Sequence, residues 1–202
     1  MQSNTSATAM APSQSLTTTE LERAELYIQQ CHNGVIGAIK GLSESQWTFK
    51  PAPDRWSIGQ IIEHVIFVQE RVAGPIQEQL ASAPESPAGR DCQAVDAIVI
   101  NQFPNRLAKF QAPPIAANPA GAYGLAEAAD RLAANAARLS GCLKSVPNLR
   151  GHVVPSPPLK AVSQGAYEVM DGYQWILAAA AHTERHTKQI LEVKAESDFP
   201  AN

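Results

Sequence analysis

Prolines divide this chain before anything else does. They cluster at Pro51 and Pro53, then at Pro84, Pro87, Pro104, Pro113, Pro114 and Pro119, then at Pro147, Pro155, Pro157 and Pro158. Each removes a backbone donor and biases the residue before it toward extended geometry, so no long helix or central strand crosses these stretches. Between them lie four segments with the helical period. The first carries Leu21, Ala24, Ile28, Cys31, Val35, Ala38 and Leu42; the second carries Ile58, Ile61, Ile62, Val65, Val68 and Val72. The third, from about Gly124 to Lys144, carries Leu125, Ala128, Ala129, Leu132, Ala136, Leu139 and Leu143. The fourth builds up to Lys194. Steps of three and four place each set on one helical face.

Start signals sharpen these segments. Thr17 with Glu20 and Ser57 with Gln60 fit capping boxes, Trp56 stands where a hydrophobic staple would, and Asp171 with Gln174 marks a start or restart of the fourth segment. Gly41 to Ser43 ends the first helix, and Gly74-Pro75 ends or kinks the second, with Ile76 to Leu80 able to add a turn. No credible period-two strand competes. The pattern therefore predicts an all-α, four-helix bundle over residues 19–195, between a disordered tail at 1–18 and a C-terminal tail at 196–202. The connections between the second and third and between the third and fourth helices are long and proline-rich. They leave room for a crossover, and the periodicity alone does not choose the topology. From Ser82 to Gly121 only Val95 to Phe110 looks helical, and the stretch reads as an insertion packed over one end of the bundle.

Composition excludes several classes. The 202 residues are 45% apolar, enough for an ordinary core, and the formal charge of −3 without a basic cluster gives no reason to expect nucleic acid or an anionic membrane as partner. No run approaches the ~18 apolar residues that span a bilayer. The first eighteen residues do not resemble a signal peptide, and Cys31, Cys92 and Cys142 lie far apart, as reduced thiols in a soluble cytoplasmic protein would. There is no Gly-x-Ser-x-Gly elbow, phosphate loop or dinucleotide fingerprint.

Histidines carry the chemistry. His182 and His186 stand four apart, on a helical face shared with Trp175, Ala178, Ala179, Gln189 and Ile190, while His64 shares its face with Gln60, Ile61, Phe67 and Val68. Three neutral imidazoles from two helices can make an open transition-metal site. Alternatives stand beside this reading: His64 as a satisfied core histidine, the pair on an exposed helix, or all three packed without metal. Thr183 occupies the position a zincin reserves for glutamate, so that reading fails. His32 reads as a boundary residue and His152 as a solvated loop residue. Gln60, one turn before His64, is a possible contact behind the ligands or to substrate; Glu63 points about 100° away and reads as a solvated charge. Trp47, Trp56 and Trp175 read as core packing.

The run Trp56-Ser57-Ile58-Gly59-Gln60-Ile61-Ile62-Glu63-His64, followed by Gly172-Tyr173-Gln174-Trp175 and by His182 to Ile190, resembles the DinB/YfiT-like superfamily. The resemblance covers about Leu21 to Lys194. It implies an up-down-down-up topology, frequent dimerisation and hence a homodimer, and a divalent ion, zinc or nickel before iron or copper. By position it makes His64, His182 and His186 the ligands. Relatives include thiol-dependent transferases and isomerases, proteins labelled as metal-dependent hydrolases, and many of unknown activity. The expectation is a metal-dependent enzyme that activates a low-molecular-weight thiol or water against a small-molecule substrate, with its catalytic residues unassigned. The competing expectation is a non-catalytic, metal-stabilised binding or stress-associated protein.

Overall fold

The computed structural model describes residues 15–106 and 119–201. The expected disordered tail, as far as residue 14, and the expected helix beyond residue 106 fall outside the described residues. In chain order the elements are α1 (Thr18–Ile39), α2 (Glu44–Thr48), α3 (Ile58–Ala73), α4 (Ile76–Ala81), α5 (Cys92–Gln102), α6 (Leu125–Ser145), β1 (Val153–Pro155), α7 (Pro157–Val162), β2 (Val169–Asp171) and α8 (Gly172–Lys194). The four long helices pack in a ring: α1 on α8, α8 on α3, α3 on α6 and α6 on α1.

The long helices begin where their chemistry dictates. Thr17, Ser57 and Asp171 each accept from the backbone three residues on, and Glu20, Gln60 and Gln174 return the bond, satisfying donors that every helix start leaves orphaned. Gly41, at φ +74°, follows the end of α1 in the left-handed region that glycine adopts without strain. Gly74 caps α3, and Pro75 opens the short α4.

The first proline-rich connection carries the helical turns expected of it, and the second holds more order than the irregular stretch expected there. The first contains α4 and α5; α5 starts three residues before the expected helix because Asp91 accepts from Ala94 N–H. The second contains α7, with prolines at its first turn where a missing N–H costs nothing, and a two-stranded antiparallel ribbon of β1 and β2. A three-residue strand is too short to print an alternation, so the all-α expectation missed it. The stretch between α1 and α3 holds α2, closed by its own Ser43–Gln46 capping box. The C-terminal segment packs down: Phe199 meets Phe49 edge to face and Gln46 donates to the Pro200 carbonyl.

A buried ion network pins the insertion to the bundle. Arg150 bonds both oxygens of Asp96 on α5 at 2.9 and 2.7 Å, Asp171 at 3.0 Å and Glu20 at 2.6 Å. Its guanidinium also lies over the ring of Tyr173, 4.1 Å from the centroid. Arg90 shares Asp171 at 3.0 Å. Three acids around two arginines leave no member of this group without a charged neighbour. No helix of the described residues is long and apolar enough to cross a membrane.

Candidate metal centre

Helix α3 turns Ile58, Ile61, Ile62 and Val65 into the core, and the helical period carries His64 inward with them. Helix α8 packs against α3 and carries His182 and His186 just after a run of small buried side chains, Ala178 to Ala181. The three rings converge. His182 Nε2 lies 3.1 Å from His64 Nε2 and 3.1 Å from His186 Nε2, and the ligand atoms of all three lie within 4.8 Å of one another.

Burial settles the charge of the pair on α8. Loss of solvation drives His186 down to about 3, the neighbouring His64 lowers it further, and a hydrogen bond to Gln189 works in the opposite direction. His182 is pushed well below the usual imidazole range by burial and then by His186, His64 and Arg185. Neutral imidazole is the form that ligates metal. Metal–nitrogen bonds of about 2.0–2.1 Å in a tetrahedron separate nitrogens by roughly 3.3 Å, close to the spacing around His182. Three imidazoles without a protein carboxylate or thiolate would leave coordination open for a further ligand. The residues fit a divalent ion.

Polar neighbours differ between the ligands. His186 Nδ1 lies 2.7 Å from Gln189 Oε1, and that oxygen also accepts from Arg106 Nη1 at 3.3 Å. His182 Nδ1 is sealed from solvent and has no hydrogen-bond partner among the described residues. Trp56 leans on the His64 ring with centroids 5.0 Å apart.

The histidines border a cavity of about 780 Å³. Its apolar wall comes from Trp56, Val68, Val72, Phe103 and Trp175, while Arg55, Arg106 and Arg185 bring positive charge against the single carboxylate of Asp54. Arg185 is held by donating to the Asn105 carbonyl. Trp56 and Trp175 thus combine packing with a place at the site, which helical position alone did not reveal. Gln189 was legible as a face-mate of His186, but its bond was not. Nothing in the sequence singled out Arg106: it falls in the Val95 to Phe110 stretch read as helical, whereas α5 ends at Gln102, and its partners lie more than eighty residues away.

Other residues go elsewhere. Gln60 completes the α3 capping box and donates to the Pro119 carbonyl at 2.9 Å, and it is not among the residues lining the cavity. Glu63, expected to be a solvated charge, instead accepts the N–H groups of Ala120, Gly121 and Ala122, because the chain returns over α3 at that point. His152, expected to be solvated, is half-buried, with Nδ1 2.9 Å from the Ala83 carbonyl, because Glu85 bridges to it as in a sheet. His32 is half-buried on α1 and outside the cluster. Cys31 lines a separate cavity of about 270 Å³ with Tyr27 and Glu184, and burial followed by the Glu184 charge pushes its thiol up to about 12.

A family model described as the DinB superfamily matches residues 27–190. No curated protein and no solved structure matches the chain.

Proposed function

The chain belongs to the DinB superfamily, and on that premise we propose that His64, His182 and His186 bind one divalent ion beside the active cavity of a small-molecule enzyme. Zinc or nickel leads, with iron or copper next, and the reaction is thiol S-transfer or hydrolysis. The observation that carries this reading is the convergence of three Nε2 atoms from two helices, with 3.1 Å on either side of His182. When bound, such an ion supplies Lewis acidity that lowers the pKa of a thiol or water at its open position.

The chain's own groups serve that chemistry in specific ways. Neutral imidazoles add no negative charge to the site. The wall of Trp56, Phe103 and Trp175 restricts water, which strengthens every charge interaction inside it. Arg106 and Arg185 favour an anionic nucleophile or substrate group. No cysteine lines the histidine cavity, and Cys31 sits in a separate one with its thiol pushed up to about 12, so a thiol reacting at the ion would come from a small molecule. Family membership supports the up-down-down-up order and a homodimer, and three free cysteines suit a reducing cytoplasm.

One observation favours a second reading. The cluster joins α3 to α8, so an ion there would staple two long helices whether or not anything reacts. Reconstitution with zinc and with nickel, elemental analysis, melts with and without chelator, and a screen of thiol transfer and hydrolysis separate the readings. Turnover that His182→Ala abolishes supports the enzyme. Metal-dependent stability without turnover supports the staple, and metal content well below one per chain overturns both.

A further inference from the structure

One chain of hydrogen bonds around the cavity has its direction decided at its far end. Arg106 Nη1 donates to Gln189 Oε1 at 3.3 Å. A guanidinium has donors and no acceptor, so the amide must turn its oxygen, not its NH₂, toward Arg106. That same oxygen lies 2.7 Å from His186 Nδ1. An oxygen can only accept there, so Nδ1 carries the proton. A neutral imidazole has one N–H, which leaves Nε2 as a bare lone pair on the side facing His182.

We infer that Arg106, acting through Gln189, is the positioning residue that holds His186 in its Nδ1–H tautomer and so keeps Nε2 open for a metal ion. Glu192 holds Arg106 in turn, at 3.1 Å from its Nε and 2.8 Å from its Nη2. Gln189 and Glu192 lie three and six residues after His186 on α8, whereas Arg106 arrives from the segment after α5. The insertion therefore reaches into the site to orient one ligand. Without Arg106 the Gln189 amide is free to present its NH₂ to Nδ1. The ring proton then moves to Nε2, where it blocks coordination.

The affinity part of this inference rests on the proposed metal site; the tautomer part does not. Long-range ¹H–¹⁵N correlation spectra of the metal-free protein should show His186 protonated at Nδ1, and a mixture of tautomers in Arg106→Gln. Cobalt(II) affinity, read from its visible bands against a competing chelator, should fall about tenfold or more in Arg106→Gln. In a Q189E background the same Arg106 change should cost less than about threefold. A carboxylate offers only acceptors, so it needs no arginine to choose which end faces His186. Equal losses in both backgrounds, no loss in the native one, or an Nε2–H tautomer of His186 in the native protein would each overturn the inference. Absence of cobalt binding by the native protein would sink the metal reading instead, while the spectra still decide the tautomer.

Discussion

The Nε2 atoms of His64 and His182 stand 3.1 Å apart although 118 residues separate them in the chain. One belongs to α3 and the other to α8, so a single point in space depends on the packing of two helices.

Removing either histidine should therefore empty the site. His64→Ala and His182→Ala are expected to hold well below one zinc per chain after reconstitution, measured by elemental analysis. In the native protein, ion at 100 times its dissociation constant contributes about 2.7 kcal/mol, and a chelator should lower Tm by roughly 5–11 °C. The same chelator should leave the Tm of His182→Ala unchanged.

Acid should weaken the metal-free protein. His186 falls from an ordinary 6.5 in the unfolded chain to about 3 when folded, so the unfolded state takes up its proton first. Stability is complete above pH 6.5 and is lost as pH falls toward 3. The slope is at most about 1.4 kcal/mol per pH unit for each such histidine, and His182 shifts in the same direction. Urea midpoints of metal-free protein at pH 7.5, 6 and 5 check this, and His186→Gln should show a shallower decline. A flat profile in both would contradict the neutral, buried cluster.

Arg150→Met should cost about 3–5 kcal/mol in urea unfolding. The change leaves buried Asp96 and Asp171 without their shared guanidinium, and removing one partner of a buried ion group exposes the full desolvation cost of the others. A cost below about 1 kcal/mol would mean that the network relaxes to water.

Thiol reactivity should follow burial. With Cys31 up to about 12 and Cys142 buried against the Ala73 carbonyl, alkylation of folded protein at pH 8 should label the half-buried Cys92 first. Peptide mass spectrometry reads the order, and early labelling of Cys31 would contradict its placement.

Gly59→Ala should cost roughly 1–3 kcal/mol. A Cβ there would lie 2.7 Å from Trp47 Nε1, and the indole that must move donates to the Tyr123 carbonyl at 3.0 Å. Urea unfolding of the variant checks the cost.

Much of this molecule is legible along the chain, because its long helices are written locally. Apolar spacing at three and four, together with Thr17, Ser57 and Asp171 at the helix starts, settles where α1, α3 and α8 begin, since a cap and its first turn lie within four residues. The inward turn of His64, His182 and His186 follows from the same period. Packing decided the rest. The distance between His64 and His182, the bond from Arg106 through Gln189 to His186, the ion group around Arg150 and the capture of residues 120–122 by Glu63 all join segments far apart in sequence. Periodicity reports which side of a helix a residue occupies. Which residue from elsewhere stands opposite depends on how the helices dock, and no local pattern encodes that.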